Sequence, residues 1–377
     1  MKILHISNYY HPHIGGIEQV ARDCVSAVRE DAGQRVFCFH SQKGDRRDMV
    51  DGVEVVRAGS FVKVASQSLS FSYGKLLRRE MKAFAPDFVV FHFPNPFGAH
   101  YLLKCLKKSR AKLIVWWHLD ITKQKLLKKL FRGQTLRLLK RADKIVATSP
   151  NYIEGSEFLP AFREKCAVIP NCAADSRVSL SDEEKQRAEE LKRRYAGKCL
   201  LFAVGRHVPY KGMEYLVRAS KLLPDEYAVC IGGEGELTPS LKQLAAGDEK
   251  VQFLGRLPDG ELKAYLLACD IFCFPSITKN EAFGIALAEA MSFAKPSVTF
   301  TIEGSGVNYV SLNGVTGIEV KNGDVGAYAA AIRKLKEDEA LREAYGKAAR
   351  EREQELFTEA AFRRNVRALL GFEEADV

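Results

Sequence analysis

Four groupings in this 377-residue sequence put charged or unusually permissive residues where chemistry would need them. Gly205-Arg206 closes one apolar run, and Lys211-Gly212 opens the helical pattern that follows. Two cations there run against the helix dipole, which favours an acid at a helix start. An anion held between them would remove that cost, Arg206 being suited to bidentate phosphate contact and Lys211 to a point-charge contact. The second grouping runs from Glu281 through Ala282, Phe283, Gly284 and Ile285 to Glu289. Gly284 falls near a helix start, where the amides of Phe283, Gly284 and Ile285 can point at a ligand. Glu289 then lies on an otherwise apolar helix, and an acid there is costly without a partner. A vicinal diol would supply two hydroxyl donors to Glu289, and Glu281 could accept from another hydroxyl. The third grouping is Gly15-Gly16, which ends a loop after the first strand and lets backbone approach an anion. The fourth is His118, at a strand end two residues before Asp120.

Each has a plain alternative. The cations can be a solvated loop, and Glu281 can merely complement a helix dipole. Gly15-Gly16 can be a flexible turn and His118 a structural histidine. Neither GxGxxG nor GxxxxGK[ST] occurs, which counts against a nicotinamide dehydrogenase and a P-loop ATPase. No His-Glu-x-x-His and no CxxC pair is present, so no metal site is expected. The nine scattered cysteines read as buried free thiols.

The elements that must position these residues repeat a single pattern. Short apolar strands, such as Ile3–Ser7, Arg35–His40, Asp87–His92 and Lys112–His118, alternate with helices, such as Gln19–Glu30 and Tyr73–Phe84. The alternation resumes at Leu200–Gly205, Tyr227–Gly232, Val251–Gly255, Asp270–Pro275, Pro296–Phe300 and Thr316–Val320. Continuously apolar strands between amphipathic helices predict parallel sheets covered on both faces. The expected architecture is α/β, two doubly wound Rossmann-like domains facing a central cleft. Ligands in such sheets sit outside the carboxyl ends of the strands, where all four groupings fall. The expected divisions are 1–172, 173–360 and a C-terminal helix, 361–377, returning to the first domain.

The composition, 46% hydrophobic and 28% charged, is that of a globular protein, and no apolar run is long enough to span a bilayer. The net charge of +10 is unevenly placed. Residues 101–144 hold fourteen Lys or Arg against Asp120 and Asp143. Such a patch suits an anionic surface or substrate, although a solvated face over a leucine stripe explains it equally. Nucleic acid is disfavoured, since no binding module accompanies the charge.

Taken together and in order, these residues resemble the GT-B glycosyltransferases, specifically the retaining, nucleotide-sugar-dependent family 4. The likeness runs through Gly15-Gly16-Ile17-Glu18, His118, Ile169-Pro170-Asn171, Gly205-Arg206 with Lys211-Gly212, Gly233-Glu234-Gly235, Phe253-Leu254-Gly255-Arg256-Leu257, and Glu281 with Glu289. The resemblance implies that Arg206 and Lys211 hold the donor diphosphate and that Glu289 takes the ribose hydroxyls. It implies that Glu281, with the amides of Phe283 and Gly284, holds the transferred sugar. Arg256 and Leu257 would face the base, His118 the sugar near its reacting carbon, and Asn171 would support the cleft. Gly15 and Gly16 would close over the phosphates. Fixed cations would then do the work of a metal ion, with no cofactor.

The departures from the family pattern are Cys172-Ala173-Ala174-Asp175 after the Pro-Asn pair, and Glu236 after Gly235. The expected activity is a retaining, metal-independent hexosyl transfer from a nucleotide diphosphate sugar, first GDP-mannose and next a UDP-hexose. The acceptor is expected to be a lipid-linked glycan of bacterial surface polysaccharide or lipopolysaccharide biosynthesis. The basic segment 104–144 is expected on the anionic inner face of the cell membrane, making the enzyme cytoplasmic and peripheral. A GT-B sugar-nucleotide epimerase and a non-catalytic protein binding anionic surfaces remain alternatives.

Overall fold

The computed structural model describes residues 1–13, 15–64, 67–121 and 125–372, with the side chains of 64, 67 and 125–130 outside that description. The chain divides into two compact units. One is Met1–Ile169 together with the chain from Phe362 onward, and the other is Pro170–Ala361. Each contains a parallel sheet of the doubly wound kind, as the alternation of elements predicts.

The first unit carries strands β1 (Lys2–Ile6), β2 (Gly33–His40), β3 (Arg46–Val50), β4 (Val53–Gly59), the short hairpin β5 (Val62–Val64) and β6 (Gln67–Leu69), then β7 (Phe88–Phe93), β8 (Lys112–Trp117), β9 (Lys144–Ala147) and β10 (Cys166–Val168). Its main sheet has the order β10-β9-β8-β7-β1-β2-β4-β3. Every pairing is parallel except β3 against β4. The strands are apolar on both faces because helices cover both. In β2, Val36, Phe37, Cys38 and Phe39 are all buried.

The second unit carries β11 (Cys199–Val204), β12 (Tyr227–Gly232), β13 (Val251–Gly255), β14 (Ile271–Phe274), β15 (Ser297–Phe300) and β16 (Gly317–Val320). They form one parallel sheet ordered β13-β12-β11-β14-β15-β16. In both sheets strand order reverses about the first strand of the unit, β1 or β11. The crevice at such a reversal is where doubly wound sheets bind ligands. The loop to Gly15-Gly16 follows β1, and Gly205-Arg206 follows β11.

Three features depart from the expectation. Strand β3 and the β5–β6 hairpin were not foreseen, because Arg46–Val50 is half charged and β5 and β6 have three residues each. Lys211-Gly212 does not open a helix. Lys211 ends a single 3-10 turn, Pro209–Lys211, and the helix runs Met213–Ser220 from a left-handed Gly212. The C-terminal helix expected over 361–377 begins earlier, as Glu359–Leu370, and a further helix, Glu339–Leu356, precedes it. The C-terminal helix places Phe362 against Trp116, ring centroids 5.8 Å apart, and pairs Arg367 with Asp31.

Candidate functional site

In the second unit the loops leaving the carboxyl ends of the strands are laced together. The amide of Gly205 donates to Gly232 O (3.1 Å), that of Gly233 to Gly255 O (2.7 Å), and that of His207 to Glu234 O (3.0 Å). This packing needs glycine at two places. A Cβ on Gly233, at φ +103°, would lie 2.0 Å from Gly205 O, and one on Gly212, at φ +60°, 2.1 Å from Pro275 O. The family-like spacing of these glycines therefore has a mechanical cause: the three loops touch backbone to backbone.

On that floor lie Lys211 and Glu281. The Lys211 ammonium contacts Glu281 Oε2, with both side chains about one-eighth exposed (15% and 12%). Ser276 Oγ donates to the same oxygen at 3.3 Å, and Ser305 Oγ donates to the Glu281 carbonyl. The ammonium also stands over the Phe274 and Tyr210 rings, 5.3 and 5.6 Å from their centroids. Lys211 and Glu281, 70 positions apart in sequence, are thus brought into contact. Arg206 is on the same rim, exposed, with its guanidinium 3.3 Å from the Tyr210 hydroxyl. Arg256 is also exposed, and the Leu257 side chain packs over Gly232.

The helix Ile285–Ser292 begins at Gly284 (φ +95°) with no side-chain cap, leaving its first amides for another acceptor. Phe283 is buried, its ring edge-on to Phe357 at 5.5 Å. Glu289, in the second turn, is 5% exposed. Its partner is Arg177, whose Nε lies 3.0 Å from Glu289 Oε1 while its other arm contacts Asp259. Burial holds the Glu289 carboxyl above its ordinary range, and Arg177 opposes the shift. No motif or periodicity points to Arg177. It sits on the four-residue helix Asp175–Val178, 112 positions from Glu289, in no motif.

In the first unit, the helix Gly16–Ala27 starts at Gly15 without a side-chain cap on that residue. The Glu18 carboxylate folds back over Gly15, where a Cβ would meet its Oε2 at 2.2 Å, whereas Gly16 has open space around it. Burial raises the Glu18 carboxyl above its usual range. His118 is 5% exposed and shares a 2.9 Å hydrogen bond, Nε2 to Nδ1, with His92. Burial lowers its pKa to about 3, so it is a neutral imidazole at neutral pH. Asp120 is structural: its Oδ1 accepts from Trp117 Nε1 (3.0 Å) and Ser156 Oγ (2.8 Å). Asn171 is 7% exposed, and its Oδ1 is buried without a hydrogen-bond partner.

The basic segment behaves differently from the motifs. Lys104, Lys108, Arg110 and Lys112 join Arg78 and Lys82 around an open cavity of about 1140 Å³. That cavity borders the amino ends of β7 and β8, the opposite sheet edge from His118. Arg132 and Arg141 are paired with Glu157 and Asp143. The side chains of Lys125, Leu126, Leu127, Lys128, Lys129 and Leu130 lie outside the described residues. Among the described residues no helix is long and apolar enough to cross a membrane, and no His, Cys, Asp or Glu cluster suits a metal ion.

The profile of glycosyl transferases group 1 matches residues 182–352, and that of glycosyltransferase family 4 matches residues 14–177. The chain is 35% identical to a D-rhamnosyltransferase, WbpZ, of Pseudomonas aeruginosa, across 95% of this chain and 92% of that protein. It is 30% identical to an O-antigen chain mannosyltransferase C of Escherichia coli, across 95% of each. Among solved structures, a sucrose-phosphate synthase of Thermosynechococcus elongatus superposes with a TM-score of 0.81 at 18% identity, over 98% of both chains.

Proposed function

The chain belongs to the GT-B glycosyltransferases with a group 1 transferase domain, and from that premise we propose that it is a retaining hexosyltransferase of bacterial surface-polysaccharide assembly. GDP-mannose is the first donor proposed and a UDP-hexose the second. The names of the two curated relatives, a rhamnosyl- and a mannosyltransferase, favour the mannose series. The acceptor is a glycan, lipid-linked at the inner face of the cell membrane. The cationic cavity around Lys104 and Lys108, together with the rest of segment 104–144, supplies the contact with anionic lipid.

One observation carries the reading: the Lys211–Glu281 pair, fixed on a floor of interlocked glycine loops at the carboxyl ends of β11 and β14. During transfer the bond from the anomeric carbon to the diphosphate breaks and a bond to the acceptor oxygen forms. Positive charge grows on the sugar and negative charge on the departing diphosphate. Lys211 and Arg206 stabilise the diphosphate electrostatically, without a metal ion. Glu281 orients the Lys211 ammonium and accepts from a sugar hydroxyl, with the Phe283, Gly284 and Ile285 amides beside it. Glu289, held by Arg177, accepts from the ribose. Arg256 and Leu257 face the base, and Asn171 Oδ1 takes a donor on the bound ligand. Gly15-Gly16 meets the phosphates and His118 a sugar hydroxyl. In a retaining reaction the acceptor attacks the face the diphosphate leaves, and a diphosphate oxygen takes the acceptor proton.

A thermal-shift panel of GDP-, UDP- and dTDP-sugars tests the donor, with stabilisation by GDP-mannose expected. Stabilisation by a UDP-sugar alone would reassign the base, and no stabilisation by any sugar nucleotide would sink the donor reading. Turnover that releases a nucleoside diphosphate and persists in EDTA is expected. A C2-epimerised product with no transfer would favour the epimerase.

A further inference from the structure

Phe61 and Phe71 flank the β5–β6 hairpin at the carboxyl edge of the first sheet, one just after β4 and the other just before the helix Tyr73–Phe84. Their rings stack with centroids 4.1 Å apart and 9° between planes, yet they are 42% and 88% exposed. Stacking covers one face of each ring and leaves the outer face of Phe71 in water. The other large exposed apolar side chains among the described residues, such as Met49, Leu222 and Val315, are far along the chain, whereas Phe61, Val62 and Phe71 adjoin. Single exposed apolar residues are ordinary, but a contiguous aromatic patch marks a contact surface. The patch is firmly mounted. Phe61 N donates to Leu69 O at 3.1 Å, Ser68 Oγ lies 2.5 Å from the Tyr9 hydroxyl, and the Lys63 ammonium stands 5.3 Å from the Tyr9 ring centroid. Tyr9 belongs to the loop between β1 and Gly15-Gly16, so the hairpin is latched to that loop.

From Phe71 a cationic surface runs to the opposite edge of the sheet. In the helix Tyr73–Phe84, Lys75, Arg78, Arg79 and Lys82 are exposed and spaced to share one face, while Leu76, Leu77 and Met81 are buried. Its one acid, Glu80, is buried and held by Arg35 and Arg47, so it does not neutralise that face. The helix Pro96–Leu106 lies alongside. Gly74 permits the close approach, since a Cβ there would lie 2.3 Å from the Tyr101 ring. Lys104, Lys107 and Lys108 are exposed at the end of this second helix. Arg78, Lys82, Lys104 and Lys108 line the cationic cavity, where Asp87 is the one acid and accepts from Lys2 N at 2.7 Å. Among the described residues, Lys75, Arg78, Lys82, Lys104 and Lys108 have no carboxylate within ion-pair distance. The two helices thus present unneutralised positive charge along their length, with exposed aromatic rings at one end.

We infer that the solvent face of these two helices, with the Phe61–Phe71 pair at its rim, docks the first unit on an anionic bilayer: the rings enter the interface, and Lys75, Arg78, Lys82, Lys104 and Lys108 meet lipid phosphates. This rests on the reading of a peripheral enzyme, and adds to it an apolar anchor and a helix outside segment 104–144. A soluble anion would engage the cations and leave Phe71 in water. A bilayer offers phosphates above and apolar chains beneath in one surface, which is the pairing this face presents. Aromatic rings suit the boundary between headgroups and chains. Docking in this way sets the carboxyl edge of the first sheet, with the loop to Gly15-Gly16, beside the lipid that carries the acceptor.

The test uses the full chain with vesicles of phosphatidylglycerol and phosphatidylethanolamine, and with phosphatidylcholine vesicles and heparin as controls. Phe71→Trp places an indole at the rim, and the native Trp116 and Trp117 are buried and give a constant background. Its emission is expected to shift to the blue on anionic vesicles and to be quenched by brominated lipid, with no shift on phosphatidylcholine or heparin. Phe61→Ser with Phe71→Ser is expected to weaken vesicle affinity about tenfold with Tm unchanged, the worth of withdrawing roughly 55 Å² of ring surface from lipid. Lys75→Ala with Arg78→Ala is expected to weaken it about thirtyfold and to flatten its salt dependence. An indole unmoved while the protein co-sediments with anionic vesicles overturns this docking face and leaves the peripheral reading intact, as does full affinity in the Lys75/Arg78 pair. An equal shift on heparin overturns it in favour of a soluble acidic polymer. Absence of co-sedimentation by the unsubstituted chain at low salt would refute the peripheral reading itself. Should the double serine variant fail to fold, the Phe71→Trp emission decides.

Discussion

Replacing Arg177 by alanine strands a carboxylate. Glu289 is 5% exposed, and its Oε1 is held 3.0 Å from the Arg177 guanidinium. Removing one partner of a buried pair commonly costs about 3–5 kcal/mol, because the remaining charge is left desolvated. Arg177 is itself 32% exposed, so solvent screens part of the attraction and the loss should be about 2–3 kcal/mol at pH 8. For a unit of this size that lowers Tm by roughly 5–10 °C. The pH dependence identifies the cause. Glu289 already titrates above its unfolded value, so the folded state holds a proton that the unfolded state releases. Its contribution is present in full below the unfolded pKa and is lost as pH rises through the folded pKa. Arg177→Ala removes the group that opposes the upward shift, so the defect should be larger at pH 8 than at pH 5, shrinking as falling pH favours the neutral carboxyl. Glu289→Gln in the same background should restore most of the stability at pH 8. Thermal unfolding of the unsubstituted chain, Arg177→Ala and the double variant at both pH values is the assay. An Arg177→Ala defect of equal size at pH 5 and pH 8, or no rescue by Glu289→Gln, would refute the reasoning.

Lys211→Ala should lower kcat by about 10²–10³-fold with only a small change in Tm, because it removes charge aimed at the departing diphosphate, and Glu281→Gln should do the same because it releases that ammonium and weakens the contact with the sugar hydroxyl; full turnover in both, measured by nucleoside diphosphate release, would remove them from the site. Gly212→Ala should destabilise the second unit, since its Cβ would lie 2.1 Å from Pro275 O at φ +60°, while Gly16→Ala, with nothing within 4 Å, should be neutral in denaturant unfolding. His5 and His118 take up no second proton in the fold until the pH falls to about 4 and about 3, whereas an unfolded histidine takes one up near pH 6.5. The first unit should therefore lose stability as pH falls from 6.5 toward 4, and a flat Tm over that range would contradict their burial as neutral rings. Co-sedimentation with anionic vesicles should be strong at low salt and weak at high salt, and reversing Lys104 and Lys108 to Glu should abolish it. Salt-insensitive binding, or none, would discard the membrane contact.

The alternation of apolar strands with amphipathic helices determined most of the fold, because a strand buried on both faces has to be apolar throughout. Tyr227–Gly232 and Val251–Gly255 are strands with the bounds read from sequence, as Tyr73–Phe84 is a helix. Glycine spacing around 205, 212 and 233 was legible as a motif. Its cause was not, since the close approach of Gly233 to Gly205 O joins two strands' loops. Glu289 could be marked as an acid needing a partner, yet Arg177 could not be named, because helix periodicity carries no information about a contact 112 residues away. His118 likewise looked like a lone histidine. Only the registers of β1, β2, β7 and β8 placed Gln34, His5 and His92 with it on one face of the sheet. Local sequence fixes which elements form and which residue types sit at their ends. Pairing between charges and imidazoles depends on strand order and register, and those are settled by packing the whole sheet.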